Sequence, residues 1–221
     1  HGYLVYEGVP DGNDYSGSFI RDYLLEHDYT VTYRNVLPEN LAGFSAVFLS
    51  FGNYSSGSTI FDNQMASTLA DYLQGGGFAY LEGGDALGYD QATNGQLLQM
   101  FGLVNAYDGT DNPINNLTGK PDALTHEMLY TGNSQVSNVS IDLFVPTANA
   151  EVAFVESVYG TVAVQQSIPE GRRTFCFSYS LSDLNNGEFP NTREELLNRI
   201  LQFFDTTHTA VPDVKEPFAM Y

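Results

Sequence analysis

Residues 75–90 read Gly75-Gly76-Gly77-Phe78-Ala79-Tyr80-Leu81-Glu82-Gly83-Gly84-Asp85-Ala86-Leu87-Gly88-Tyr89-Asp90. Three glycines lead into a short apolar run that stops at a second glycine-rich turn. An apolar run without alternation suits a strand covered on both faces, as in a parallel sheet. The run is preceded by helical spacing of Ile60, Met65, Leu69, Tyr72 and Leu73, so residues 60–74 are expected to be a helix that the glycines end. Helix, glycine turn, buried strand and tight turn is one unit of a doubly wound α/β fold. Several α/β enzymes carry a nucleophile at such a strand-to-turn elbow. Here the elbow offers Glu82 and Asp85 but no Cys, Ser or Thr.

The flanking sequence repeats the rhythm. Residues 2–8 read as a strand, a helix is expected from Ser16 or Ser18 to about His27, and Thr30–Arg34 and Ser45–Phe51 read as strands. Asn94–Phe101 is a short helix. Phe19, Ile20, Tyr23 and Leu24 share one face of the first helix. Residues 173–180 form another strand. Thr192-Arg193-Glu194-Glu195 has the pattern of a capping box, followed by a broad apolar face of Leu196, Leu197, Ile200, Leu201, Phe203 and Phe204. Residues 103–170 break the rhythm, with short candidate strands at 141–145, 151–156 and 161–166. We expect one α/β domain over 1–205: a doubly wound, mostly parallel, flavodoxin-like sheet with a β-rich insertion or edge at 103–170. Residues 206–221 have the character of a linker or arm. The abrupt start at His1-Gly2 leads us to expect that a leader or preceding domain is missing.

Charge narrows the partners. Eight basic residues against 27 acidic ones give a net charge of −19. Such a surface repels nucleic acid and anionic membranes. No apolar run approaches the roughly 20 residues that span a bilayer, so no membrane insertion is expected. The single cysteine, Cys176, excludes an internal disulfide and lies in an apolar strand, where a thiol acts as a small hydrophobe. Asn53, Asn116 and Asn138 begin N-x-S/T sequons, a pattern that chance supplies readily in a chain rich in Asn, Ser and Thr.

The segments Ala46–Gly52, Gly75–Asp85, Gly171–Ser180 and Thr192–Phe204 together resemble class I glutamine amidotransferase-like domains, nearest to the ThuA-like branch that is not amidotransferase. They also resemble accessory modules of this fold in secreted bacterial multidomain proteins. The resemblance implies an amidotransferase-like frame. In catalytic members a Cys stands at the elbow and a His follows the strand matching Phe175–Ser180. This chain has Glu82 or Gly83 at the first position and Tyr179-Ser180-Leu181-Ser182-Asp183 at the second. The couple needed for thiol catalysis is therefore missing.

Candidate ligand-binding residues are Glu82, Asp85, Asn53, Tyr54 and Tyr89; this reading places Glu82, Asp85, Asn53 and Tyr54, with Asp11 and Asp14, at the C-terminal edge of the sheet, where open α/β sheets bind ligands. Glu82 and Asp85 could do acid–base work, bind a cation or hydrogen-bond the loop backbone. Asp11, Asp14, Asp108 and Asp111 are candidate metal ligands in turn-like segments, although turn chemistry alone accounts for both segments and neither completes a calcium loop. A copper site on His1 lacks a suitably spaced second His. Gly75–Gly77 precedes its strand and so is no phosphate loop.

The expected function is a non-catalytic extracellular or cell-surface module, structural or adhesive, joined to neighbouring domains or copies through residues 206–221. No cofactor is expected, calcium excepted. The rivals are a glycan- or peptide-acting hydrolase using Glu82 and Asp85, and a carbohydrate- or calcium-binding module using Tyr54 and Tyr89 beside the carboxylates.

Overall fold

The computed structural model describes residues 2–8, 16–52, 59–133, 140–169 and 171–205. Five parallel strands form its centre: β1 (Gly2–Glu7), β2 (Val31–Arg34), β3 (Phe44–Ser50), β4 (Phe78–Glu82) and β11 (Arg173–Phe177), in the order β2-β1-β3-β4-β11. The register sets the faces. Val5, Phe48, Tyr80 and Phe175 lie in one row and pack under α1 (Ser16–Glu26) and α4 (Arg193–Phe204). Tyr6, Leu49, Leu81 and Cys176 lie in the next row and face α2 (Asn63–Gln74) and α3 (Gly95–Met100). Both faces are covered, which is why these strands read as continuous apolar runs.

The helices begin as their caps dictate. Asp62 accepts from the Met65 N–H at 2.9 Å and Thr192 Oγ1 accepts from the Glu195 N–H at 3.1 Å. The Thr192 box is half used: the Glu195 carboxylate takes Arg199 Nε at 2.8 Å and Asn198 Nδ2 at 3.1 Å. Leu196, Leu197, Ile200, Leu201 and Phe204 are buried on α4, each contributing about 2 kcal/mol by area. Among the described residues no helix is long and apolar enough to cross a membrane.

The expected insertion divides in two. Strands β6 (Leu117–Gly119), β7 (Leu129–Tyr130), β9 (Glu151–Glu156) and β10 (Gly160–Ser167) extend the main sheet antiparallel from β11, in the order β10-β9-β6-β7. Strands β5 (Leu103–Thr110) and β8 (Ile141–Pro146) pair antiparallel as a separate two-stranded sheet. The segment from Asp108 that reads as a turn is therefore, through Thr110, the end of a strand. The residues after β11 also depart from expectation: the strand stops at Phe177, and Leu181–Asp183 form a 3₁₀ turn capped by Ser180.

Candidate site at the elbow after β4

Glu7, Ser50, Glu82 and Phe177 close the parallel sheet as one row, all on the α1/α4 face. Beyond them the ladder continues through the backbone. Phe51 N–H donates to Glu82 O at 2.9 Å, Gly83 N–H to Phe177 O at 3.1 Å and Gly84 N–H to Gly52 O at 3.2 Å. The elbow is thus held by both neighbouring strands. Gly83 sits at φ 154°, and a Cβ there would lie 2.8 Å from Phe51 Cβ. Position 83 has no room for a side chain.

Glu82 is fully buried. Its Oε2 accepts from the Tyr80 hydroxyl at 2.6 Å and from the Leu181 N–H at 2.8 Å. Both bonds go to a carboxylate, the stronger kind. They tie β4 to the turn after β11. The same turn reaches α1, because Ser182 N–H donates to Ser16 Oγ at 2.9 Å. Glu7, at the far end of the row, accepts from the Tyr33 hydroxyl.

Asp85 is also fully buried but belongs to another neighbourhood. It stands before a single turn of π-helix, Ala86–Asp90, whose far end Asp90 accepts from the Ile60 and Phe61 N–H groups at 2.9 and 2.7 Å. One carboxylate oxygen from each of Asp85, Asp108 and Asp142 lies within 4.8 Å of the others. Neither Asp85 oxygen has a hydrogen-bond partner of ordinary geometry. Burial first, then the charges of Asp108 and Asp90, push its carboxyl up to about 6, partly offset by the Ser140 hydroxyl. Asp142 is fully buried in β8; its Oδ2 accepts from Leu87 and Gly88 N–H at 3.1 and 2.6 Å, while its Oδ1 has no partner. Burial raises the Asp142 carboxyl well above its ordinary range despite those two bonds. Asp108 is exposed at the rim.

The structure thus assigns Glu82 and Asp85 different partners. Glu82 serves the turn at Leu181, and Asp85 faces β5 and β8. Tyr89 is exposed beside the junction, and Asp111 is exposed outside the acidic group. Asn116 is exposed ahead of β6. Asp11, Asp14, Asn53, Tyr54 and Asn138 lie outside the described residues. Sequence reasoning missed Asp142. Its signal was a lone carboxylate inside the apolar strand Ile141-Asp142-Leu143-Phe144-Val145.

At the opposite, N-terminal edge of the sheet a groove of about 760 Å³ opens between Tyr3, Tyr29, Phe78, Leu201 and Phe204, with Asp205 on its wall. Cys176 is fully buried in β11, its Sγ directed at Val164 O at 3.6 Å, and burial pushes its thiol far above the ordinary range.

The arrangement of parallel centre, antiparallel extension and glycine elbow has relatives of known structure. A ThuA-like protein from Bacteroides uniformis ATCC 8492 superposes with a TM-score of 0.58 at 10% identity, over 92% of this chain and 90% of that one. A glutamine amidotransferase from Thermotoga maritima gives 0.52 at 12% identity, over 83% of this chain and 77% of that one. The fold is amidotransferase-like. The β-galactosidase from Rahnella sp. R3 gives 0.58 at 9% identity over 91% of this chain. This chain spans only 30% of that enzyme's length, so the amidotransferase-like fold is there one part of a larger chain. No family model and no curated protein matches the sequence.

Proposed function

We propose that this chain is a non-catalytic amidotransferase-like module, a structural or adhesive part of a larger extracellular protein or assembly. The observation that carries this reading is the elbow after β4. Its carboxylate is buried and committed to Tyr80 and Leu181, and the following position excludes a side chain. An acyl-transfer nucleophile needs an approachable side chain with a base in hydrogen-bond reach. The single thiol lies instead in the middle of a covered sheet. The hydrolase alternative needs Glu82 and Asp85 to face one substrate, and their separate neighbourhoods speak against it. The match to part of a β-galactosidase supports the idea that this fold serves within larger chains. The extracellular setting rests on composition: one cysteine, an acidic surface and three sequons.

Residues 206–221 follow Asp205, on the wall of the N-terminal groove, and we assign them the contact with a neighbouring copy or domain. The test has two arms. Incubation with glutamine, p-nitrophenyl glycosides and a peptide panel is expected to give no turnover above a heat-inactivated control. Turnover that vanishes in Glu82→Gln overturns the reading. Light scattering of the full chain against a 206–221 deletion is expected to show a smaller assembly for the deletion; equal masses remove the role of the tail.

A further inference from the structure

The acidic junction calls for a partner that the described residues do not supply in full. Three carboxylates from three elements converge there: Asp85 from the elbow, Asp108 from β5 and Asp142 from β8. Two are fully buried; Asp142 Oδ1 has no hydrogen-bond partner, and Asp85 has the Ser140 hydroxyl beside it but no bond of ordinary geometry. Neither of the ion pairs between described residues, Arg21–Asp22 and Arg199–Glu195, reaches the junction. Buried carboxylates are stable only when paired, hydrogen-bonded, protonated or bound to a metal. The two N–H groups on Asp142 Oδ2 favour its ionised form and fix its other oxygen. The backbone is shaped around that oxygen, since a Cβ on Gly88 would lie 2.4 Å from Asp142 Oδ1.

We propose that Asp85, Asp108 and Asp142 form a calcium site that clamps the β5/β8 sheet to the end of β4. The donors are all oxygen, with no imidazole or thiolate, which selects a hard cation. The three oxygens lie within 4.8 Å of one another, so one cation at a Ca–O distance of about 2.4 Å reaches all three, and three carboxylates suit calcium better than magnesium, which usually takes one or two and keeps several waters. Asp108, exposed, leaves one side open for the waters that complete a calcium shell. The site is structural: its ligands come from the elbow and from both strands of the small sheet. It stands whether or not the module is catalytic.

The test uses the full chain after chelator treatment, titrated with CaCl₂, MgCl₂ and ZnCl₂ by calorimetry and followed by thermal unfolding. One calcium is expected per chain, with a Kd of about 1 mM or tighter and magnesium weaker by about tenfold or more. Saturating calcium is expected to raise Tm by several degrees, as a ligand of the folded state must. Asp108→Asn, at an exposed position, is expected to keep the fold by circular dichroism and weaken calcium about tenfold. Asp85→Asn should abolish the Tm response. Asp111→Asn, nearby but outside the cluster, should change neither. Absence of calcium heat and of any Tm shift up to about 10 mM overturns the proposal. So does equal weakening by Asp108→Asn and Asp111→Asn, which would mean diffuse screening of an acidic surface. Magnesium or zinc binding as tightly as calcium overturns the calcium assignment.

Discussion

Two regions of the molecule bury carboxylates with opposite results. At the end of β9, Glu156 is 1% exposed. Its Oε2 accepts from the Val158 and Tyr159 N–H groups, both at 2.8 Å, and its Oε1 from Asn115 and Asn116 N–H at 3.1 and 3.3 Å. Burial alone would raise its pKa, but these four bonds outweigh it and bring the carboxyl down to about 2. At the acidic junction, Asp142 and Asp85 are just as deep, share two N–H groups between them and are pushed upward. Depth does not decide the fate of a buried charge. The number of donors aimed at it does. The turn after β9 is complete in itself, whereas the described residues aim only two N–H groups and the Ser140 hydroxyl at the two buried carboxyls of the junction.

The sharpest way to break this contrast is Glu156→Ala. It strips the acceptor from N–H groups of two separate segments, and we expect a loss of about 3–4 kcal/mol in urea unfolding. A loss under about 1 kcal/mol would show that water takes the place of the carboxylate. Titration tests the same group. Its folded pKa lies below the ordinary 4.5, so its stabilisation is complete above that pH and drains away as pH falls toward 2. The contribution is on the order of 3 kcal/mol. Urea midpoints measured from pH 6 to 2.5 should fall more steeply for the wild type than for Glu156→Gln. Tyr80→Phe removes one bond to the buried Glu82 carboxylate, and about 2 kcal/mol should be lost in the same assay. Asp85→Asn should go the other way. In chelator at neutral pH it removes a buried charge that no backbone N–H group stabilises and is expected to raise stability by about 1–2 kcal/mol. A destabilisation would mean that Asp85 is satisfied by the protein after all. The smallest effect is expected for Thr192→Ala, about 1 kcal/mol from the lost cap of α4, seen as a lower Tm.

The parallel half of the molecule was legible because its signals are local. Phe78–Leu81 reads as a buried strand from its own residues, and α2 from the spacing of Met65, Leu69, Tyr72 and Leu73. The helix at 193–204 is announced by Thr192. The β-rich half was legible only in part, as separate strands at 141–145, 151–156 and 161–166, with β5, β6 and β7 unread. Residues 151–156 and 161–166 were recognisable, but nothing in them says that they extend the main sheet while 103–110 and 141–146 leave it. That choice depends on pairing between distant residues, such as Val164 with Cys176 or Ala106 with Phe144. The candidate site divides in the same way. Glu82 and Asp85 stood out from the glycine elbow, and Asp108 from its turn-like neighbours. Asp142 did not, because its importance comes from partners more than 30 residues away in the chain.

Composition and short-range pattern thus determined the acidic surface, the covered parallel strands, the helix starts and an elbow that carries no Cys, Ser or Thr. Each of these is written in residues within a few positions of one another. Only the folded chain decided that Glu82 would be tied to Leu181, that Asp85 would turn toward β5 and β8, and that three carboxylates would meet where a lone one stood in each segment. Strand register and the packing of one element on another assemble those neighbourhoods, and neither is encoded within any single stretch of the chain.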